Sequence, residues 1–80
     1  MIKVIKMLNR KEITDIKKRF PVGTVVVLDY MDDYQAPIKG TKGTVYNVDD
    51  IGQIHVHWEN GSTLALNTEV DLFHIIPQQD

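Results

Sequence analysis

Cysteine is absent from the 80 residues, which excludes disulfides and thiolate metal sites. Serine occurs once, as Ser62 beside Asn60-Gly61, without the strand–turn–helix elbow or Gly-x-Ser-x-Gly pattern of an exposed nucleophile. Gly40 and Gly43 precede no helical pattern, so no glycine-rich phosphate loop is formed. No apolar run approaches the ~20 residues of a membrane span. The N-terminus, Met1-Ile-Lys-Val-Ile-Lys-Met-Leu8, is broken by lysines and lacks the small-residue cleavage site of a signal peptide. These absences lead us to expect a cytoplasmic, non-enzymatic protein with no cofactor and no membrane partner.

What is present is one small domain's worth of ordinary globular sequence, 42% apolar and 25% charged. A chain of this length removes only about 60–70% of its unfolded surface from water, so one compact core must carry its stability. The net charge of −2 hides an asymmetry. Residues 1–19 hold Lys3, Lys6, Arg10, Lys11, Lys17, Lys18 and Arg19 against Glu12 and Asp15, a balance of +5. Residues 20–80 hold Lys39 and Lys42 against nine acids, a balance of −7. Such polarity suits either a basic arm for an external polyanion or two parts of one chain that attract each other.

A helix over about 10–19 is written at its start. Asn9 is a good N-cap, Glu12 stands at the reciprocal capping-box position, and Leu8 and Ile13 occupy the staple positions. Ile13, Ile16 and Phe20 recur at helical spacing, cations gather at the C-terminal end, and Pro21 stops the helix. Residues 1–8 fit either a helical stripe or the start of a strand. After the turn Pro21-Val-Gly-Thr24, five short strands are expected: Val25–Tyr30, Thr41–Val48, Gln53–Trp58, Ser62–Leu66 and Phe73–Pro77. In the first, Asp29 marks the solvent side, so Val26, Leu28 and Tyr30 are expected inside, with Val25 and Val27 outward. Val25 and Val27 would then be covered by residues 1–8 or by a second copy in a homodimer. Asn60-Gly61 is the strongest hairpin signal, and Asn67–Asp71 reads as one helical turn. The expected fold is mainly β: a five-stranded SH3-like small barrel over 20–77, preceded by the basic segment 1–19 with its N-terminal α-helix and followed by a short tail, 78–80. Gly43-Thr-Val45, Asp50-Ile-Gly52 and Val56-His-Trp58 are similar to stretches of KOW and Tudor barrels.

Residues from about 20 to 76 resemble a small family of unknown function found in phages and integrative conjugative elements, chiefly of Firmicutes. The resemblance is carried by Pro21-Val-Gly-Thr24, Met31-Asp-Asp33, Ala36-Pro37, Gly40-Thr-Lys-Gly-Thr-Val45, Val48-Asp-Asp-Ile-Gly-Gln-Ile-His-Val56, Trp58-Glu-Asn-Gly61, Leu64-Ala-Leu66 and Asp71-Leu-Phe-His74. Tyr34, where the family usually has proline, and the basic segment 1–8 depart from that pattern. The resemblance implies an accessory protein of a mobile element and transfers no activity.

Asp32-Asp33 and Asp49-Asp50 occupy two loops that a small barrel would bring near each other. Together with Tyr34 they are the expected binding residues for a protein partner, for instance a host or defence protein. Clustered carboxylates also suit Mg²⁺ or Ca²⁺, but no EF-hand spacing is present, and aspartates in turns commonly bind nearby backbone amides; no metal is expected. His55 and His57 share one side of a strand, with His74 as a distant third ligand for zinc; the core claims Ile54, Val56 and Trp58, which leaves those histidines solvated. The alternative partner is nucleic acid, held by Arg10, Lys11, Lys17, Lys18 and Arg19, against which the acidic remainder of the chain weighs. A small-molecule sponge and a metal-dependent hydrolase are remoter alternatives.

Overall fold

The computed structural model describes residues 7–77. In chain order they form α1 (Arg10–Arg19), β1 (Val25–Tyr30), β2 (Lys42–Val48), β3 (Ile54–Trp58) and β4 (Leu72–Ile75). The fold is mainly β, with one helix and four antiparallel strands in an open sheet ordered β3-β2-β1-β4. The two readings of residues 1–8 fall almost wholly outside the described residues, as does the tail 78–80.

α1 begins as its sequence dictates. The Asn9 side chain accepts from the Glu12 amide at 2.8 Å, and the Glu12 carboxylate accepts from the Asn9 amide at 3.0 Å. Phe20 leaves helical geometry at φ −127°, one residue before Pro21. The helix is held by its apolar stripe: Ile16 and Phe20 are buried in the core, and Leu8 packs on its edge. The Phe20 ring meets Phe73 of β4 at 5.5 Å. Among the described residues, the ion pair that joins α1 to the sheet loops is Lys17 to Asp50 at 3.2 Å. The described part of the basic segment, α1 with Leu8, is therefore held to the sheet chiefly through apolar burial.

The core is filled from both sides of the chain's middle, by Val26, Leu28, Val45, Ile54, Val56, Trp58 and Leu66. Val26 and Leu28 lie inside as expected, with Val25 and Val27 half-buried on the opposite face. Tyr30 was expected inside and is 56% exposed. The cause is a bulge: Leu28 pairs with Phe73 and Tyr30 with Leu72, so Asp29 is an extra residue that reverses the alternation. Met31 takes the buried position instead.

The fourth of the expected strands, Ser62–Leu66, is not a strand of the sheet. Leu66 exchanges two backbone bonds with Ile54, and at the other end Ser62 accepts one from the Trp58 amide. Upstream, side chains capture the backbone groups a ladder would use. The Trp58 indole donates to the Leu64 carbonyl at 2.8 Å, and the Leu64 amide donates to the Ser62 hydroxyl. The Asn60-Gly61 turn does form, with Gly61 at φ +88° and Asn60 accepting from the Ser62 amide. The single turn before β4 forms too, closed by the Asp71 amide on the Asn67 carbonyl and by the Asn67 amide on the buried Asp71 carboxylate.

The side chains of Val56 and Trp58 in β3 lie over Gly43 of β2. A Cβ there would lie 2.3 Å from Val56 Cγ1 and 2.7 Å from Trp58 Cε3. Gly43→Ala should therefore overpack a filled core and cost about 1–3 kcal/mol in denaturant unfolding. A variant as stable as the parent would show that the Val56 and Trp58 side chains can move aside freely.

Candidate functional site

The β1–β2 loop, residues 31–41, is built to hold its tip outward. Met31 and Pro37 are buried and Ala36 packs against the core, so the loop is anchored at three points. Its base is closed by the Gly40 amide on the Leu28 carbonyl and the Leu28 amide on the Thr41 carbonyl. Asp33 folds the tip, accepting from the Gln35 amide at 2.8 Å while its carbonyl accepts from the Ala36 amide. The side chains left for solvent are Asp32, Asp33, Tyr34 at 96% exposure, Gln35, Ile38 at 82% and Lys39. Ile38 was not singled out from the sequence; its apolar neighbours Ala36 and Pro37 turn inward and it does not.

The second acidic loop, 49–53, leaves the far end of β2. A loop that enters an antiparallel strand and one that leaves it emerge at opposite ends of the sheet, so the expected joint acidic face does not form. Among the described residues, no hydrogen bond or ion pair links the two loops. Asp49 serves its own turn: Oδ1 accepts from the amides of Ile51 at 3.1 Å and Gln53 at 2.9 Å, and Oδ2 accepts from His55 Nε2 at 2.7 Å. Asp50 faces Lys17. The five expected partner-binding residues thus divide into Asp32, Asp33 and Tyr34 on one loop and Asp49 and Asp50 elsewhere.

Partial burial pushes the Asp49 carboxyl up, but the hydrogen bonds from His55, Gln53 and Ile51, with the charge on His55, outweigh it and hold the group below the ordinary 3.8. Its ionised form therefore stabilises the fold above the unfolded-state pKa, and that contribution fades as pH falls through the lower folded value. Asp49→Ala should cost about 1–2 kcal/mol at neutral pH, with the gap to the parent narrowing only below about pH 4. A melting-temperature gap unchanged down to the acid limit would remove Asp49's charge from the account.

The histidines are separated. His55 and His57 flank Tyr46 on the outer face of β2 and β3, with ring centroids 5.9 and 4.0 Å from it. His74 lies across two strands on β4, its Nδ1 donating to Asp29 Oδ2 at 2.8 Å. No group of three His, Asp or Glu among the described residues is placed to share a metal. The two Asp–His pairs escaped the sequence reading because each joins positions that only turn and strand register bring together.

At about 100° per residue, Lys17, Arg10, Thr14, Lys18 and Lys11 fall within one arc of about 120° on the solvent side of α1. Arg19 lies outside that arc, its guanidinium 5.2 Å over the Phe20 ring. An apolar recess of about 310 Å³ lies between the helix start and the 49–53 loop, with Leu8, Ile13 and Ile51 in its walls. No helix among the described residues is long and apolar enough to cross a membrane.

Compared with known families, the chain matches the domain of unknown function DUF4314 over residues 9–76, and it belongs to that family. Comparisons with curated proteins and with solved structures gave no match.

Proposed function

We propose that this is a non-enzymatic binding module of the SH3-like kind, an accessory protein of a phage or mobile element that engages a host or defence protein in the cytoplasm through the 31–39 loop. The barrel reading is supported by the strand succession and by the Ile54–Leu66 bridge, which carries the chain past β3 towards the last strand. The mobile-element reading is supported by the sequence resemblance alone. The observation that carries the binding reading is the loop itself. Its backbone is fixed by turns and buried anchors, while Tyr34 stands in water beside Asp32 and Asp33, and Ile38 stands in water beside Lys39. A preorganised loop loses little entropy on binding, and tyrosine is among the residue types that most often carry the energy of a protein interface.

The test is affinity capture from an extract of the encoding cell, with parent and Tyr34→Ala/Ile38→Ser protein side by side. The double variant should keep its melting temperature and lose the captured protein. Asp32→Asn with Asp33→Asn should also fold normally, since an asparagine oxygen can replace Asp33 in its turn, and should weaken capture through lost charge alone. Equal capture by all three proteins would move the site away from this loop.

A second reading is favoured by the cationic arc of α1, which suits the phosphate backbone of a nucleic acid. Binding of duplex DNA that falls steeply with salt, and falls again with Lys11→Gln/Lys18→Gln, would support it.

A further inference from the structure

The two edges of the sheet are treated differently. β3 is screened by the returning chain: Leu66 bridges Ile54, and the Trp58 amide donates to the Ser62 carbonyl. β4 is the opposite edge, and nothing among the described residues pairs with its outer side. Its register shows which groups are free. The Ile76 amide donates to the Val25 carbonyl at 2.9 Å, so Val25 and Ile76 are a hydrogen-bonded pair. Alternation makes Val27 and His74 the next such pair. Phe73 and Ile75 therefore turn their N–H and C=O groups to the open side.

Natural edges are usually guarded by lysine, proline or a charged side chain. β4 is short and pairs with a bulged β1, but Leu72-Phe-His-Ile75 carries no lysine, proline or carboxylate, and Leu72 and Ile75 are 61% and 43% exposed. Beside the edge runs a groove of about 370 Å³ whose walls include Arg19, Phe20, Thr68, Leu72, Phe73 and Ile75. Asp71, also in its wall, has its carboxylate on the Asn67 amide. Arg19 makes no ion pair among the described residues; its guanidinium lies over Phe20.

We propose that β4 and this groove receive an extended segment of a partner protein, added to the sheet as a further strand. Backbone pairing to Phe73 and Ile75 demands an extended chain. The groove selects an apolar side chain against Phe20 and Phe73, with an aspartate or glutamate nearby to meet Arg19. Leu72 pairs with Tyr30, the residue leading into the 31–39 loop, so one partner can lie on both. The inference rests on the protein-binding reading above.

The probe is a displayed library of random linear peptides selected on the full chain. Selected peptides should combine alternating apolar residues with an acid, and the best of them should slow hydrogen exchange at the Phe73 and Ile75 amides. Ile75→Pro removes one outward donor without touching the β1 ladder and should weaken binding about five- to tenfold. Ile75→Lys, which keeps the N–H but charges the edge, should do the same if the proline variant folds poorly, and Arg19→Gln should weaken binding of acidic peptides only. The proposal is overturned if no peptide is enriched, or if those two amides are already protected in the free monomer. It is also overturned if a concentration-dependent dimer protects them, since the occupant is then a second copy. Peptides that perturb Tyr34 but leave Phe73 and Ile75 unchanged would overturn the edge while leaving the loop reading intact.

Discussion

Replacing Trp58 with alanine is expected to cost about 3–5 kcal/mol, most of the stability a domain of this size commands. Two losses add up in that variant. The first is a buried ring against which Gly43 and Val56 are fitted. The second is the indole N–H that holds the Leu64 carbonyl at 2.8 Å. Trp58→Phe separates them, because it keeps most of the packing and removes only the donor. It should cost less and should loosen residues 62–66 in hydrogen exchange while β2 and β3 stay protected. Urea unfolding of the three proteins measures the first effect. A Trp58→Ala protein as stable as the parent would show that the core does not depend on this ring.

The next largest effect concerns the helix. A 20–80 fragment is expected not to fold, because Ile16 leaves the core with α1 and Phe20 loses its covalent anchor. Phe20→Ala in the full chain should by itself cost about 3–5 kcal/mol. Salt should matter little, since the pair that joins α1 to the sheet loops among the described residues, Lys17 with Asp50, is solvent-facing and exposed pairs contribute little. Circular dichroism of the fragment, with and without added salt, gives the answer. A cooperatively folded fragment would make α1 a free basic arm, and the nucleic-acid reading would then take precedence.

These expectations also mark how far the residues alone carried the fold. The capping box at Asn9 and Glu12, the stop at Pro21 and the turn at Asn60-Gly61 are local chemistry and stand as read. The inward face of β1 was legible up to Leu28, where Asp29, read as one more alternating residue, is instead a bulge. Nothing in a string of six residues announces a bulge; it follows from the pairing with β4. The expected fourth strand failed for a similar reason. Its composition suits a strand, but the Trp58 indole and the Ser62 hydroxyl compete for its backbone groups. For the site, Asp32, Asp33 and Tyr34 were found because they are contiguous. Grouping them with Asp49 and Asp50 overlooked that the two loops meet opposite ends of β2, and that Asp49 is consumed by Ile51, Gln53 and His55.

The most direct measurement of the central claim is photocrosslinking in the cell that encodes the chain. A photoreactive amino acid is placed at Tyr34 in one variant and at Lys18, on the cationic side of α1, in a second. A binding module that works through the 31–39 loop should give a discrete protein adduct from position 34 and none from position 18. Nucleic acid crosslinked from position 18, with position 34 silent, would contradict it.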